Sequence, residues 1–175
     1  MFHFNITTNL VKRSALVAAI AALAGCGAAQ DNTTTTATTT TAANAASSIN
    51  GESIIRGDAS NWLSNGRTYD EQRHSPLDQI NLDNVDDLGL AWYWNTGTKR
   101  GLESTPIVVD GIMFNSGAWS MVWAHDAKTG ELLWEFDPQV DRAWARYACC
   151  DVVNRGVAAW KGKIYIGTID GRLIA

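Results

Sequence analysis

Two adjacent cysteines open the run Cys149-Cys150-Asp151-Val152-Val153-Asn154-Arg155-Gly156. Consecutive Cα atoms sit ~3.8 Å apart across a trans peptide, whereas a relaxed disulfide spans ~4.4–6.8 Å. A bond between neighbours would therefore close a strained eight-membered ring, and such strain persists mainly where a site uses it. The alternative is that each cysteine pairs elsewhere, and the only other cysteine is Cys26. Five residues after Cys150, Arg155 offers a planar fork of donors that can meet a carboxylate bidentately. Its alternative is a rim salt bridge. Glu103 heads the run Glu103-Ser104-Thr105-Pro106-Ile107 and is either a ligand-facing carboxylate or a plain turn acid. His74 and His125 stand alone, without metal-ligand spacing, and are expected to be structural or surface histidines. Asp151 is expected to be structural, and Asp170-Gly171 reads as a turn.

The segments around these residues differ sharply in composition. Lys12 and Arg13 precede a small-residue apolar run at 15–23, too short to span a bilayer, which needs ~20 residues. Residues 1–25 thus read as an export signal. The run ends in Leu23-Ala24-Gly25-Cys26, which resembles the lipobox of bacterial lipoproteins. That resemblance implies a lipidated Cys26 anchored to membrane lipid, and Gly27 after it implies the outer membrane facing the periplasm. An ordinary cleaved signal is the alternative. More than one acyl chain is enough for stable anchoring. Either compartment is oxidising, so a disulfide can persist there. Residues 26–54 hold two runs of four threonines with scattered Ala, Asn and Ser, and are expected to form a disordered tether. Without residues 1–25, 12 basic and 18 acidic residues remain, a net −6. No basic stripe points to nucleic acid.

Residues 55–175 should carry the fold, since all eight tryptophans lie beyond residue 60. Strand-like runs at 105–109 and 112–115 flank Asp110-Gly111, a hairpin turn whose two residues tolerate positive φ. Runs at 121–125 and 132–136 flank the turn 126–130. The pattern restarts at 157–160 and 163–168 around Lys161-Gly162. Gly111 then superposes on Gly162 and Ala124 on Ala175, a spacing of 51 residues. Repeats of this length, each a small antiparallel sheet, mark propeller blades, against the weaker alternative of a β-sandwich.

The segment Ala124-His125-Asp126-Ala127-Lys128-Thr129-Gly130-Glu131-Leu132-Leu133-Trp134 resembles the tryptophan-docking motif of quinoprotein propellers. Non-catalytic propeller lipoproteins share that motif. Three further stretches resemble pyrroloquinoline quinone (PQQ)-dependent alcohol dehydrogenases. They are Trp62-Leu63-Ser64-Asn65-Gly66-Arg67-Thr68-Tyr69-Asp70, continuing to Trp92, the stretch from Glu103 to Phe114, and the stretch from Cys149 to Gly156. The resemblance implies an all-β fold, part of an eight-bladed quinoprotein β-propeller. This chain would hold a lead-in segment, about one complete blade and half of the next. It further implies that Glu103 contacts PQQ, that Cys149 and Cys150 form a vicinal disulfide stacked on its face, and that Arg155 binds its anionic edge.

In that family the cofactor carries the redox chemistry while the protein orients and polarises it. A calcium ion (Ca2+) acts as Lewis acid, an alcohol is oxidised by hydride transfer, and an acceptor such as a cytochrome c takes the electrons. The family's calcium ligands and catalytic aspartate correspond to positions beyond Ala175, so no residue here takes those roles. A closed propeller of ~40–50 residues per blade needs well over ~300 residues. The chain is therefore expected to be a fragment that neither folds stably nor catalyses alone. The alternative function is a non-catalytic propeller lipoprotein scaffolding outer-membrane protein assembly. The cysteine pair and Arg155 discriminate, since a scaffold has no use for a strained ring against a planar ligand.

Overall fold

The computed structural model describes residues 49–175. The signal, Cys26 and the greater part of the tether lie outside the described residues.

Strand β1 (Ile107–Val109) and strand β2 (Ile112–Ser116) are rich in β-branched and large apolar residues, and burial alternates along both. Ile107, Val109, Ile112 and Phe114 all turn to one buried face. Asp110 (φ 48°) and Gly111 (φ 80°) make the two-residue turn, pairing Val109 opposite Ile112. Two positive φ angles match the right-handed twist of the flanking strands. Strand β3 (Val122–Asp126) returns beside β2, and β4 (Leu132–Phe136) beside β3, completing a four-stranded antiparallel meander in chain order. A second sheet follows: β5 (Ala158–Trp160), β6 (Lys163–Gly167) and β7 (Leu173–Ile174), again in chain order. The starts of β1, β2 and β3, at 107, 112 and 122, recur at 158, 163 and 173. The repeat of 51 residues is therefore structural, and Lys161 (φ 44°) with Gly162 (φ 83°) rebuilds the same turn.

Neither sheet covers its own faces. The core joins Ile107, Val109, Ile112, Phe114 and Ala124 of the first sheet to Ala159 of the second and to Ile49, Ile54 and Leu63 of the lead-in. Trp134 packs on this cluster with its ring 5.9 Å from Phe114. Full burial of a side chain such as Phe114 contributes ~1.5–3 kcal/mol. The lead-in is also tied by backbone bonds. Trp62 and Val108 exchange two at 2.9 Å, and the Lys161 amide donates to the Ile49 carbonyl at 3.0 Å.

One expectation changes. The tether was expected to run to residue 54, yet helix α1 spans Gly51–Arg56 and Ile49 and Ile54 sit in the core. A capping box starts the helix: the Ser53 amide donates to Asn50 Oδ1 at 3.0 Å, and the Asn50 amide to Ser53 Oγ at 2.9 Å. Gly57 in the left-handed region ends it. Further on, every residue from 71 to 83 is exposed, Leu77, Ile80 and Leu82 among them.

The 126–130 turn takes the shape its motif implies. Asp126 Oδ1 accepts from the Thr129 amide (2.7 Å), the Lys128 amide (3.0 Å) and Thr129 Oγ1 (3.0 Å). Those bonds, from Thr129 first, hold the carboxyl below its ordinary range. Trp92 lies flat on this turn, its Nε1 donating to the Ala127 carbonyl at 3.1 Å. A Cβ on Gly130 (φ 76°) would come within 2.5 Å of that indole, whereas one on Gly111 would meet nothing. Both Gly→Ala changes should lose ~1–2 kcal/mol to the left-handed backbone. Urea unfolding of the intact protein should show a markedly larger loss for Gly130→Ala, because Trp92 must also move.

His125 is buried between Trp92 (centroids 6.1 Å apart, stacked) and Trp94 (4.9 Å, edge-on). Neither ring nitrogen has a hydrogen-bond partner among the described residues. Of the structural and surface readings that the sequence left open, it takes the structural one. Burial disfavours the imidazolium and pushes the pKa below the usual 6.5. The unfolded chain then binds the proton more readily than the folded one. Stability should be full above pH 6.5 and fall as pH drops from there towards the folded pKa. His125→Phe, with an uncharged ring in the same cage, should flatten that slope in melting temperature against pH.

Candidate functional site

Two backbone segments running side by side build the site. One carries Glu103, Ser104 and Thr105 into β1; the other carries Asn154, Arg155 and Gly156 into β5. The Thr105 amide donates to the Arg155 carbonyl at 3.2 Å. Gly156 adopts φ 139°, and a Cβ there would approach the Thr105 carbonyl oxygen to 3.1 Å, so the close pass requires glycine.

Asn154 fastens the segments. Its Oδ1 accepts from Ser116 Oγ (2.7 Å) and from the Gly156 amide (3.1 Å), while its Nδ2 donates to the Gly167 carbonyl (2.9 Å). Ser116 is buried, and its amide donates to Ser104 Oγ at 3.2 Å. One side chain therefore links β2, β6 and the turn that presents Arg155.

Three of the four candidate cofactor residues lie within mutual electrostatic reach. Arg155 Nε pairs with Glu103 Oε2 at 2.9 Å, and both charges act on the Cys150 thiol. The Arg155 side chain is 78% exposed and that of Glu103 41%. So open an ion pair contributes at most ~1 kcal/mol to stability. Its polar groups remain available to a ligand. Cys149 and Cys150 are exposed thiols whose Sγ atoms face one another at 2.8 Å. The Cys149 thiol beside it raises the pKa of Cys150 above the ordinary thiol range, and the Glu103 charge adds to this.

Glu103 and Arg155 line a cavity of about 650 Å³, within the ~300–1,000 Å³ usual for small-molecule sites. Asn65, Arg73 and Tyr165 line it too. Sequence reasoning passed over these three, although Arg73 stands in a stretch that resembles the quinoprotein lead-in. A second guanidinium beside an anion site was the available signal. The donor set suits an anion, with two arginines on the cavity wall and the Cys150 thiol within electrostatic reach of Glu103 and Arg155.

The aspartates named in the sequence are engaged elsewhere. Asp151 accepts hydrogen bonds from Val152, Arg100 and Gly101, and Asp170 pairs with Arg172 at its turn. His74 is exposed, and among the described residues no three His, Cys, Asp or Glu side chains gather as a metal would need.

A PQQ family, the glucose/ethanol/alcohol dehydrogenase β-propeller domain, matches residues 62–175. The chain belongs to this family. It is similar to a quinohemoprotein alcohol dehydrogenase of Pseudomonas putida, 57% identical over 129 residues that cover 73% of this chain and 18% of the relative. Among solved structures it resembles quinohemoprotein alcohol dehydrogenase from Comamonas testosteroni, with a TM-score of 0.75 and 52% identity over 79% of this chain and 21% of that one. A europium-containing methanol dehydrogenase matches with a TM-score of 0.65 and 38% identity, covering 70% of this chain and 22% of that one. The chain thus spans about a fifth of the length of these relatives. Its sheets are blades of a quinoprotein propeller: one of four strands, the next represented by three.

In this PQQ propeller the blade-to-blade joint should be measurable at Asn154. Replacement by Ala strips the Gly156 amide of its acceptor and leaves the Ser116 hydroxyl only the longer contact to Ser104 Oγ at 3.2 Å, and should cost ~1–3 kcal/mol in urea unfolding. Asn154→Asp keeps the acceptor but turns a carboxylate oxygen on the Gly167 carbonyl, so it should also lose stability at neutral pH and recover part of it when the carboxyl is protonated in acid.

Proposed function

We propose that this chain supplies one wall of the PQQ site of a quinoprotein alcohol dehydrogenase. The observation that carries the reading is the exposed Glu103–Arg155 pair on the wall of a 650 Å³ cavity, with the Cys149–Cys150 pair close by. When bound, PQQ with its metal supplies the two-electron acceptor for hydride from the alcohol carbon.

This chain's own residues hold and screen that group. Arg155 is engaged through Nε, and its terminal nitrogens present a fork to an anionic edge. Glu103 fixes the plane of the guanidinium and accepts from a ring N–H. Cys149 and Cys150, oxidised to a vicinal disulfide, offer a rigid, polarizable surface to a planar ring. The metal is calcium or a lanthanide ion, the latter suggested by the europium-containing relative. Its ligands and the catalytic base are assigned to no residue of this chain, so the chain alone is proposed to be inactive. The name of a relative from Thauera butanivorans, 1-butanol dehydrogenase (cytochrome c), supports a cytochrome c as electron acceptor. The lipobox-like Leu23-Ala24-Gly25-Cys26 supports export to the periplasm and anchoring to the outer membrane through Cys26. The rival reading as a non-catalytic scaffold leaves the exposed cysteines and Arg155 without a role.

The test is dye-linked oxidation of a short primary alcohol by the intact protein, reconstituted with PQQ and calcium or a lanthanide. Activity should need both additions and be lost or severely cut in Cys149→Ser. Arg155→Lys, which keeps the charge and loses the fork, should weaken PQQ binding about tenfold. A well-folded parent that binds no PQQ would overturn the reading in favour of the scaffold.

A further inference from the structure

Asp151 follows the cysteine pair directly and sits at φ 69°, a left-handed conformation that aspartate tolerates better than most residues. From there its carboxylate reaches the segment that leads to Glu103. Oδ1 accepts from Arg100 Nη1 at 2.6 Å and from the Val152 amide at 2.8 Å. Oδ2 accepts from the Gly101 amide at 3.3 Å. Gly101 stands two residues before Glu103, and Asp151 one residue after Cys150 and four before Arg155. One carboxylate therefore joins the two strands of chain that carry the candidate cofactor residues.

A second tie backs the first. Val152 is buried, and its carbonyl accepts from the Trp119 amide at 2.9 Å. Trp119 (φ 64°) and Ser120 (φ 60°) are consecutive left-handed residues that make this approach. Arg100 also lies over the Trp119 ring, 5.7 Å from its centroid, with Arg142 at 4.2 Å. The space is tight as well: a Cβ on Gly101 would stand 3.2 Å from Val153 Cγ1. Hydrogen bonds from Val152, and then Arg100 and Gly101, keep the Asp151 carboxyl ionised to lower pH than usual.

We propose that Asp151 is a positioning residue for the PQQ site. Acting through Arg100 and Gly101, it sets the spacing between Glu103 and the Cys149–Arg155 segment. The inference rests on the functional reading above for its ligand, and on geometry alone for the placement of the cysteines. The Arg100–Asp151 pair is partly open to solvent, with side chains 48% and 29% exposed, so its role in global stability is small. A merely structural ion pair of that kind would leave both the ligand and the thiols unaffected.

The experiment compares Asp151→Asn, Arg100→Met, the double variant and Arg100→Lys in the intact protein. Two quantities are read. The first is PQQ affinity by fluorescence titration. The second is the dithiol–disulfide equilibrium of Cys149 and Cys150 against dithiothreitol, in which the protein thiols lose two electrons and two protons as oxidised dithiothreitol becomes its dithiol. Each single neutralisation should weaken PQQ about fivefold and shift the thiol equilibrium about threefold, with an unchanged melting temperature. The double variant should be no worse than the singles, because both break one interaction. Arg100→Lys should recover most of the loss. Parental values in both readouts, or additive losses in the double variant, would overturn the proposal. If the parent binds no PQQ, the functional reading falls, and the thiol equilibrium of Asp151→Asn still decides on the clamp. Should Asp151→Asn fail to fold, the Arg100 pair of variants decides in the same way.

Discussion

A blade of short strands cannot cover its own faces, and the contact that answers this constraint is the joint between the two sheets at Asn154. That side chain uses its acceptor on Ser116 and Gly156 and its donor on Gly167, so three backbone segments meet at one amide. Buried polar groups such as Ser116 Oγ cost free energy unless paired, so the joint is specified in geometry as well as position. Arg155 is the next residue in the chain. Its placement over the cavity follows from the same bonds that hold the blades together.

The apolar part of the joint works alongside. Ile107, Val109 and Phe114 turn to one side of the first sheet and meet Ala159 from the second, with Ile49, Ile54 and Leu63 from the lead-in. Trp92 and the 126–130 turn form a second contact, where an indole lies on a glycine because no Cβ stands in the way. His125 completes that corner as a neutral ring among tryptophans. These contacts are the buried parts of the described chain, and the exposed groups at the cavity hang from them.

The candidate site itself is weakly self-stabilised. The Glu103–Arg155 pair is open to water, and the cysteine sulfurs are exposed. Charged groups held in place by their backbone, and little stabilised by one another, suit a surface that exchanges water for a planar polyanion. Asp151 differs from them. Both of its oxygens are occupied by the neighbouring segment, which removes it from acid–base or metal work and gives it a mechanical part.

Local chemistry made much of this legible in the residues alone. Asp110-Gly111 and Lys161-Gly162 specify hairpins because their positive φ angles are a property of two adjacent residues, and the spacing of 51 follows from repeating them. The Asp126 turn is equally local, closed within five residues. Glu103, Cys150 and Arg155 could be named from motif resemblance, yet their mutual reach depends on segments some 50 residues apart in sequence. Helix α1 escaped notice because its signals, Asn50, Ser53 and two isoleucines, are few and adjoin a polar threonine-rich stretch. Arg73 and the Trp92–Gly130 pair stand in stretches that resemble the family, yet which cavity the arginine lines and which glycine the indole meets were not written there, and the Arg100–Asp151 clamp had no sequence signature at all. Turns and strands are set by the φ, ψ and burial preferences of neighbouring residues, which the sequence by itself determines. Which side chains share a cavity or close a clamp depends on how one blade docks against the next, and that only tertiary packing decides.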